Sequence, residues 1–348
     1  MLLEGIFLPL TTPFYPDGRL NVRKLEANAE RYSRTPAAGM LVLGRVGEAD
    51  GLTDGETREA LGAAIGAAAD EKVMVAGVGR ESVAATLELA QAAAEHGYDA
   101  VAVRPPEFAG DAAMRVELLT YFRAVADRSA LPVLLVNERE RPLSVATIGE
   151  LAGHAQVIGV VDAEATGERV ARLQAATADV SREVAVTPVF AAATGRMLRR
   201  MEAGGPGNFV RAESLGGGAA IAVAAPRPAV KTRRKRVGFQ VLAGSTSGML
   251  EAWMAGAVGA APRLGACAPQ ACCEVWQAFR DGDGALAAEK QDRVRSAGER
   301  MEGWKGIAAL KYGCDLNGYF GGRARLPLIG LTAQEREAVE RELAGMKN

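Results

Sequence analysis

Eight short apolar runs, each separated from the next by a longer segment of helical period, constrain this chain more than any other feature of its sequence. They begin at Gly5 (GIFLPL), Gly39 (GMLVLG), Val73 (VMVAG), Asp99 (DAVAV), Pro132 (PVLLV), Val157 (VIGVV), Phe239 (FQVLAG) and Ala257 (AVGAA). Continuous Val, Ile, Leu and Ala without polar alternation suits strands buried on both faces, and parallel strands of that kind need long crossovers between them. The intervening segment SVAATLELAQAAAEHG places Val83, Leu87 and Leu89 broadly along one side and ends at Gly97, a residue suited to a helix C-terminus. Thr53 with Glu56 and Thr332 with Glu335 have capping-box spacing at two helix starts. Eight such units predict an α/β chain folded as a (β/α)8 TIM barrel over residues 1–267, near the usual size of about 250 residues. A C-terminal helical extension over 268–348 follows. The rival, a doubly wound open sheet, would draw on GVGRES at 77, but its sixth position is Ser82 in place of glycine and no second half-repeat follows.

One stretch breaks the rhythm. From about 188 to 238 the spacing between runs swells into an insertion between the sixth helix and the seventh barrel strand. TPVFAAATGRMLRRMEAG predicts an extra helix, whereas the Gly-, Ala- and Pro-rich remainder carries no structural signal. Connections of this type run along the N-terminal face of a barrel, so the insertion is not expected to be an active-site lid. The basic run KTRRKR at 231–236 lacks aromatic neighbours and reads as a solvated loop.

Net charge of −1 gives no global field to attract nucleic acid or an anionic membrane, which leaves small molecules as expected partners. The start MLLEGIFLPLTTPF has no basic segment, and no apolar run approaches the ~20 residues that span a bilayer, so a cytoplasmic location is expected. Cys267, Cys272, Cys273 and Cys314 fit neither a disulfide framework nor zinc-site pairs, and the only histidines, His96 and His154, fall in segments read as helical. No metal or cofactor is expected.

The motifs GIFLPLTTPFYPDGRLN, GRVGE at 44–48, VAGVG at 75, AVRPPEF at 102, LPVLLVNERERP at 131, VIGVVDAEATG at 157, FQVLAGSTSGMLEAWMAGAVGA at 239 and GIAALKYG with RLPLIGLT occur in order along the chain. In this the chain resembles the family of dihydrodipicolinate synthase and N-acetylneuraminate lyase, pyruvate-dependent class I aldolases built on a (β/α)8 barrel. The resemblance implies a lysine at the end of the sixth strand that forms a Schiff base with a keto acid. Here Val161 holds that position. The tyrosine relay that follows the fifth strand corresponds to Val136, the two threonines of the second loop to Arg45 and Val46, and an aromatic relay shared across a subunit interface to Phe108. No lysine occurs between residues 73 and 230; Lys72 falls at the start of the third strand, and Lys305 and Lys311 in C-terminal helical sequence, where Lys311 matches a lysine many relatives carry.

Residues that hold an anion persist. The resemblance implies that Gly44 and Gly47 offer backbone N–H groups to a carboxylate and that Arg141 binds a substrate carboxylate; Glu48 and Asn137 are retained beside them. Arg141 also has a plainer reading, as a partner of Glu138 or Glu140. Arg45, Arg104, Arg139 and Arg141 with Glu48, Glu107, Glu138 and Asp162 fall just past strand ends, so a charged mouth is expected over a floor of Val46, Val136 and Val161. An Arg45–Glu48 pair would plug that mouth, and an unpaired Arg45 would favour an anion. Three functions remain open: a barrel of lyase (aldolase) ancestry that forms no Schiff base and binds a small carboxylate or 2-keto acid; an enzyme using Glu48, Glu107 or Asp162 as base with an arginine; or a non-catalytic structural subunit of an oligomer. The family resemblance implies a homo-oligomer, tetramer or dimer.

Overall fold

The structure, a computed structural model, describes residues 1–110, 114–203, 231–303 and 306–346. Each of the eight apolar runs forms a strand: β1 (Gly5–Pro9), β2 (Gly39–Val42), β3 (Val73–Gly77), β4 (Ala100–Val103), β5 (Val133–Asn137) and β6 (Val157–Asp162), then, after an excursion through β7 (Arg182–Val186) and β8 (Arg233–Val237), β9 (Gln240–Ala243) and β10 (Gly259–Ala260). The eight barrel strands close in the order β1-β10-β9-β6-β5-β4-β3-β2, and every pairing is parallel. Closure leaves no open sheet edge, which excludes the doubly wound alternative. Leu3, Phe7, Val75, Leu134, Val161 and Leu242 fill the lumen as a packed core.

Helices α1 (Val22–Ser33), α2 (Asp54–Ala67), α3 (Val83–His96), α4 (Arg115–Arg128), α5 (Val145–Ala152) and α6 (Gly167–Ala176) follow their strands around the outside. Both predicted capping boxes form, Thr53 with Glu56 at the start of α2 and Thr332 with Glu335 at the start of the last helix. Gly97 ends α3 at φ +90°, a backbone state that glycine reaches without strain. His96 closes α3, whereas His154 lies beyond the end of α5, with Nε2 2.9 Å from Asp127 Oδ1, and not in a helix as its sequence context implied.

The extra helix of the insertion forms as α7 (Gly195–Ala203). It is anchored at the N-terminal mouth of the barrel: Arg196 Nη1 donates to Ala68 O at 3.0 Å and Gly195 N–H to Asp99 Oδ1 at 2.8 Å, just before β3 and β4. The basic run is a correction. Residues 233–237 are a strand, β8, paired antiparallel with β7 in a ribbon outside the barrel. Acids answer two of its four cations, Glu183 reaching Arg234 at 2.9 Å and Glu4 reaching Lys235 at 2.7 Å, while Val184 and Val186 of β7 bury one face against Leu2. Alternation in β7 and paired cations in β8 thus stabilise a ribbon where charge alone implied a solvated loop. The rest of the insertion, residues 204–230, lies outside the described residues.

Beyond β9 come α8 (Met249–Met254), α9 (Pro269–Arg280), α10 (Gly284–Gly303), α11 (Gly306–Leu316) and α12 (Ala333–Leu343). Val275 of α9, Val294 of α10, Leu310 of α11 and Leu343 of α12 share one buried cluster with Leu25 and Tyr32 of α1, so the C-terminal helices extend the outer core of the barrel. Among the described residues, no helix is long and apolar enough to cross a membrane.

The end of β3 is held tightly against the loop after β2: a Cβ placed on Gly77 would lie 2.1 Å from Leu43 O, a backbone atom that cannot turn aside. Gly77→Ala is expected to lower the urea midpoint by the equivalent of about 1–3 kcal/mol, the usual cost of overpacking. An unchanged midpoint would contradict this close approach.

Candidate functional site

The C-terminal ends of the strands surround a cavity of about 410 Å³. Leu41 of β2, Ala102 of β4, Val136 of β5, Val161 of β6 and Ala261 after β10 give it an apolar lining at strand level. Val161 is 7% exposed and belongs to the lumen core, yet it also borders the open cavity. Its isopropyl group is therefore at the bottom of the mouth, level with Val136 on one side and Leu242 on the other. Val46 is buried and lines the same space. The expected apolar floor is present.

The loop after β2 is a 3-10 turn over Arg45–Gly47, entered from Leu43 at φ 58° and left through Glu48 at φ 53°. Gly47 N–H closes this turn on Gly44 O at 2.9 Å, and Gly47 O accepts the Thr12 hydroxyl at 2.6 Å, so this glycine's amide is engaged inside the loop and not presented to a ligand. The N–H groups of Arg45 and Val46 have no acceptor among the described residues. Arg45 does not pair with Glu48. Its Nη2 reaches Glu140 Oε1 from the β5 loop at 2.8 Å, across the mouth.

Glu48 is a buried hub. Its Oε1 is 2.5 Å from Lys311 Nζ on α11, and its Oε2 accepts the Arg325 N–H at 2.8 Å. The Lys311 ammonium also donates to Thr12 O at 2.9 Å and Arg323 O at 2.8 Å and lies 4.5 Å from the centre of the Phe14 ring. All three of its protons have acceptors, and burial pulls its pKa down against the opposing pull of Glu48. Next in the chain, the Arg325 guanidinium grips Glu56 at 2.6 and 2.8 Å, which draws that carboxyl down to about 2. Arg325, Leu326, Pro327 and Leu328 thereby become part of the cavity wall.

Asn137 and Asp162 tie the ends of β5 and β6 together. Asn137 Nδ2 donates to Asp162 Oδ1 at 2.6 Å, its Oδ1 accepts the Leu143 N–H at 2.6 Å, and Asp162 Oδ2 accepts Arg169 Nε at 2.7 Å. Arg141 Nη2 lies 2.6 Å from Glu138 Oε2, the plainer of its two sequence readings. Arg104 pairs with Asp50 at 2.9 Å and Glu81 at 3.2 Å. Gly44, Arg45, Val46, Glu48, Val136, Asn137, Arg141 and Val161 all border the cavity; Gly47, Phe108 and Glu107 do not. Phe108 is half-buried against the outer core. Lys72 is at the opposite mouth, donating to Thr35 O at 2.8 Å and Ala37 O at 2.9 Å. Lys305 lies outside the described residues.

Two contributors escaped the sequence reading. Arg263 follows β10 directly and lines the cavity; the Pro-Arg step after the eighth apolar run was a usable signal, by the same strand-end rule that selected Arg104. The segment 325–328 carries no periodicity that could place it over the mouth.

Burial of both charges makes the Glu48–Lys311 pair sensitive to removal of either partner. Glu48→Gln and Lys311→Met are each expected to lose about 3–5 kcal/mol in denaturant unfolding, since each leaves a buried group uncompensated. The double variant should lose clearly less than the sum. Additive losses would contradict a direct pair.

Comparison with known proteins accords with this geometry. The model of the dihydrodipicolinate synthetase family matches residues 2–213. A 4-hydroxy-tetrahydrodipicolinate synthase of Xanthomonas axonopodis pv. citri is 36% identical over 183 residues, 51% of this chain and 60% of that protein. The one from Cutibacterium acnes is 32% identical over 192 residues, 53% of this chain and 65% of that one. These matches thus span less than two thirds of the relatives' length. Among solved structures, dihydrodipicolinate synthase from Acinetobacter baumannii, complexed with pyruvate, superposes with a TM-score of 0.77 at 21% identity, covering 99% of this chain and 100% of that one. YagE, a prophage protein from E. coli K12 in complex with pyruvate, gives 0.76 at 21% identity over 99% of each chain. Matching family model, closed parallel barrel and ordered strand-end motifs agree: the chain belongs to the dihydrodipicolinate synthetase family.

Proposed function

We propose that this chain is a barrel of aldolase ancestry that binds a small carboxylate or 2-keto acid non-covalently in the cavity and forms no Schiff base with it. The observation that carries the reading is Val161 at the cavity floor. An imine needs a primary amine with an available lone pair, and an isopropyl group offers none. Among the described residues no lysine borders the cavity. Lys311, which packs behind Glu48, has every ammonium proton engaged, and Lys72 serves the other mouth.

The ligand class follows from the lining. An apolar floor accepts a short aliphatic body, and a cationic rim accepts an anion. Pyruvate, named in the structures of two proteins of similar fold, has both parts. Alternative acid–base chemistry finds little support: Glu48 and Asp162 are locked by cations and amides, and Glu107 is exposed on the outer rim, beyond the arginines that line the cavity. The same reading makes the protein cytoplasmic and a homo-oligomer that uses no metal or cofactor.

Thermal unfolding with pyruvate and with its hydroxy analogue lactate tests this. Because recognition does not pass through an imine, both acids should stabilise the protein, each by about 2.7 kcal/mol at one hundred times its Kd. Stabilisation by pyruvate alone, or by neither acid, would overturn the reading.

A further inference from the structure

The arginines around the cavity are not equivalent. Arg45 faces Glu140 at 2.8 Å, Arg80 faces Asp54 at 3.6 Å, Arg104 faces Asp50 at 2.9 Å, Arg141 faces Glu138 at 2.6 Å and Arg325 faces Glu56 at 2.6 Å. Each of these charges is already answered. Arg263 lines the same cavity, and among the described residues its guanidinium has neither a hydrogen-bond acceptor nor a carboxylate within 4.0 Å. The acid that acts on it most strongly is Glu302, whose carboxylate instead accepts the Thr246 hydroxyl and, at 3.1 Å, the Leu264 N–H. Burial raises the pKa of Glu302 and lowers that of Arg263, the latter against the opposing pull of Glu302 and Glu140 on the guanidinium.

A guanidinium carries five N–H donors in a planar fork that matches a carboxylate. Leaving that fork empty beside an apolar floor is unfavourable until an anion arrives. Ala261, two residues before Arg263, is itself part of that floor with Val136 and Val161. We propose that Arg263 is the anion receptor of the cavity, and that its ligand is a small monocarboxylate whose charged end sits on Arg263 and whose short aliphatic end meets the valines. A second carboxylate would meet arginines whose forks already hold Glu138 and Glu140, and like charges side by side repel. Dicarboxylates are therefore discriminated against. This inference rests on the reading that the cavity holds a small carboxylate, but it places the anion at the end of β10, away from the Arg141 and second-loop positions singled out in the sequence.

Calorimetric titration of the full chain with pyruvate and with succinate, for wild type, Arg263→Gln, Arg263→Met and Arg141→Gln, tests the assignment. Both Arg263 variants should keep or raise the apo melting temperature, because the side chain makes no bond and its unanswered charge is unfavourable, and should weaken pyruvate binding by about tenfold to a hundredfold. Arg141→Gln, which leaves Glu138 without its cation, should weaken it by less than either Arg263 variant does, and succinate should bind wild type more weakly than pyruvate. Wild-type affinity in an Arg263 variant, loss confined to Arg141→Gln, or tighter binding of succinate would overturn the proposal while leaving the cavity a carboxylate site. Absence of binding of any acid to wild type would overturn both.

Discussion

Closure of eight parallel strands turns their C-terminal ends toward one small mouth, and the register of β6 between β5 and β9 decides which side chain it presents there. Shifting that strand by one residue would carry every side chain to the other face. With Val161 level with Val136 and Leu242, the mouth has a hydrocarbon floor, and the chemistry available to the site is limited to what can be recruited from the rim. The rim is rich in charge, yet most of that charge is internally balanced. This composition is what supports the proposed reading of the cavity as a site for an anion with an apolar body.

The Glu48–Lys311 pair serves the site as architecture. Both groups are buried, so their attraction must offset a large desolvation cost and gives little net stability. Its contribution is geometric. It joins the second loop to α11, and Arg325, bonded through its N–H to the same carboxylate, draws the segment 325–328 over the mouth. Asn137 with Asp162 acts similarly between β5 and β6. The contacts of these residues therefore speak for the shape of the cavity more than for catalysis.

Much of the barrel was legible because two-sided burial leaves a plain mark, the uninterrupted apolar run, and because capping boxes are local. The ribbon was hidden for the opposite reason: β8 is mostly basic, and its pairing with β7, with Glu4 and Glu183 as ion partners, all far away in sequence, makes it a strand. At the site, strand-end position correctly gathered Arg45, Glu48, Asn137, Arg141 and Val161 around one cavity. Which acid reaches which arginine was beyond sequence: Glu140, read as a possible partner of Arg141, pairs instead with Arg45, for which Glu48 was the partner in view. Arg263 was legible by the same strand-end rule and was missed because the eighth run is short and its end unremarkable.

Reductive trapping addresses the proposed absence of an imine most directly. The chain is incubated with pyruvate and borohydride, and its intact mass is measured beside that of Val161→Lys, which places an amine at the floor. Unchanged wild-type mass is the predicted result. A covalent adduct on the wild-type chain, at Lys305, Lys311 or any other lysine, would contradict the account.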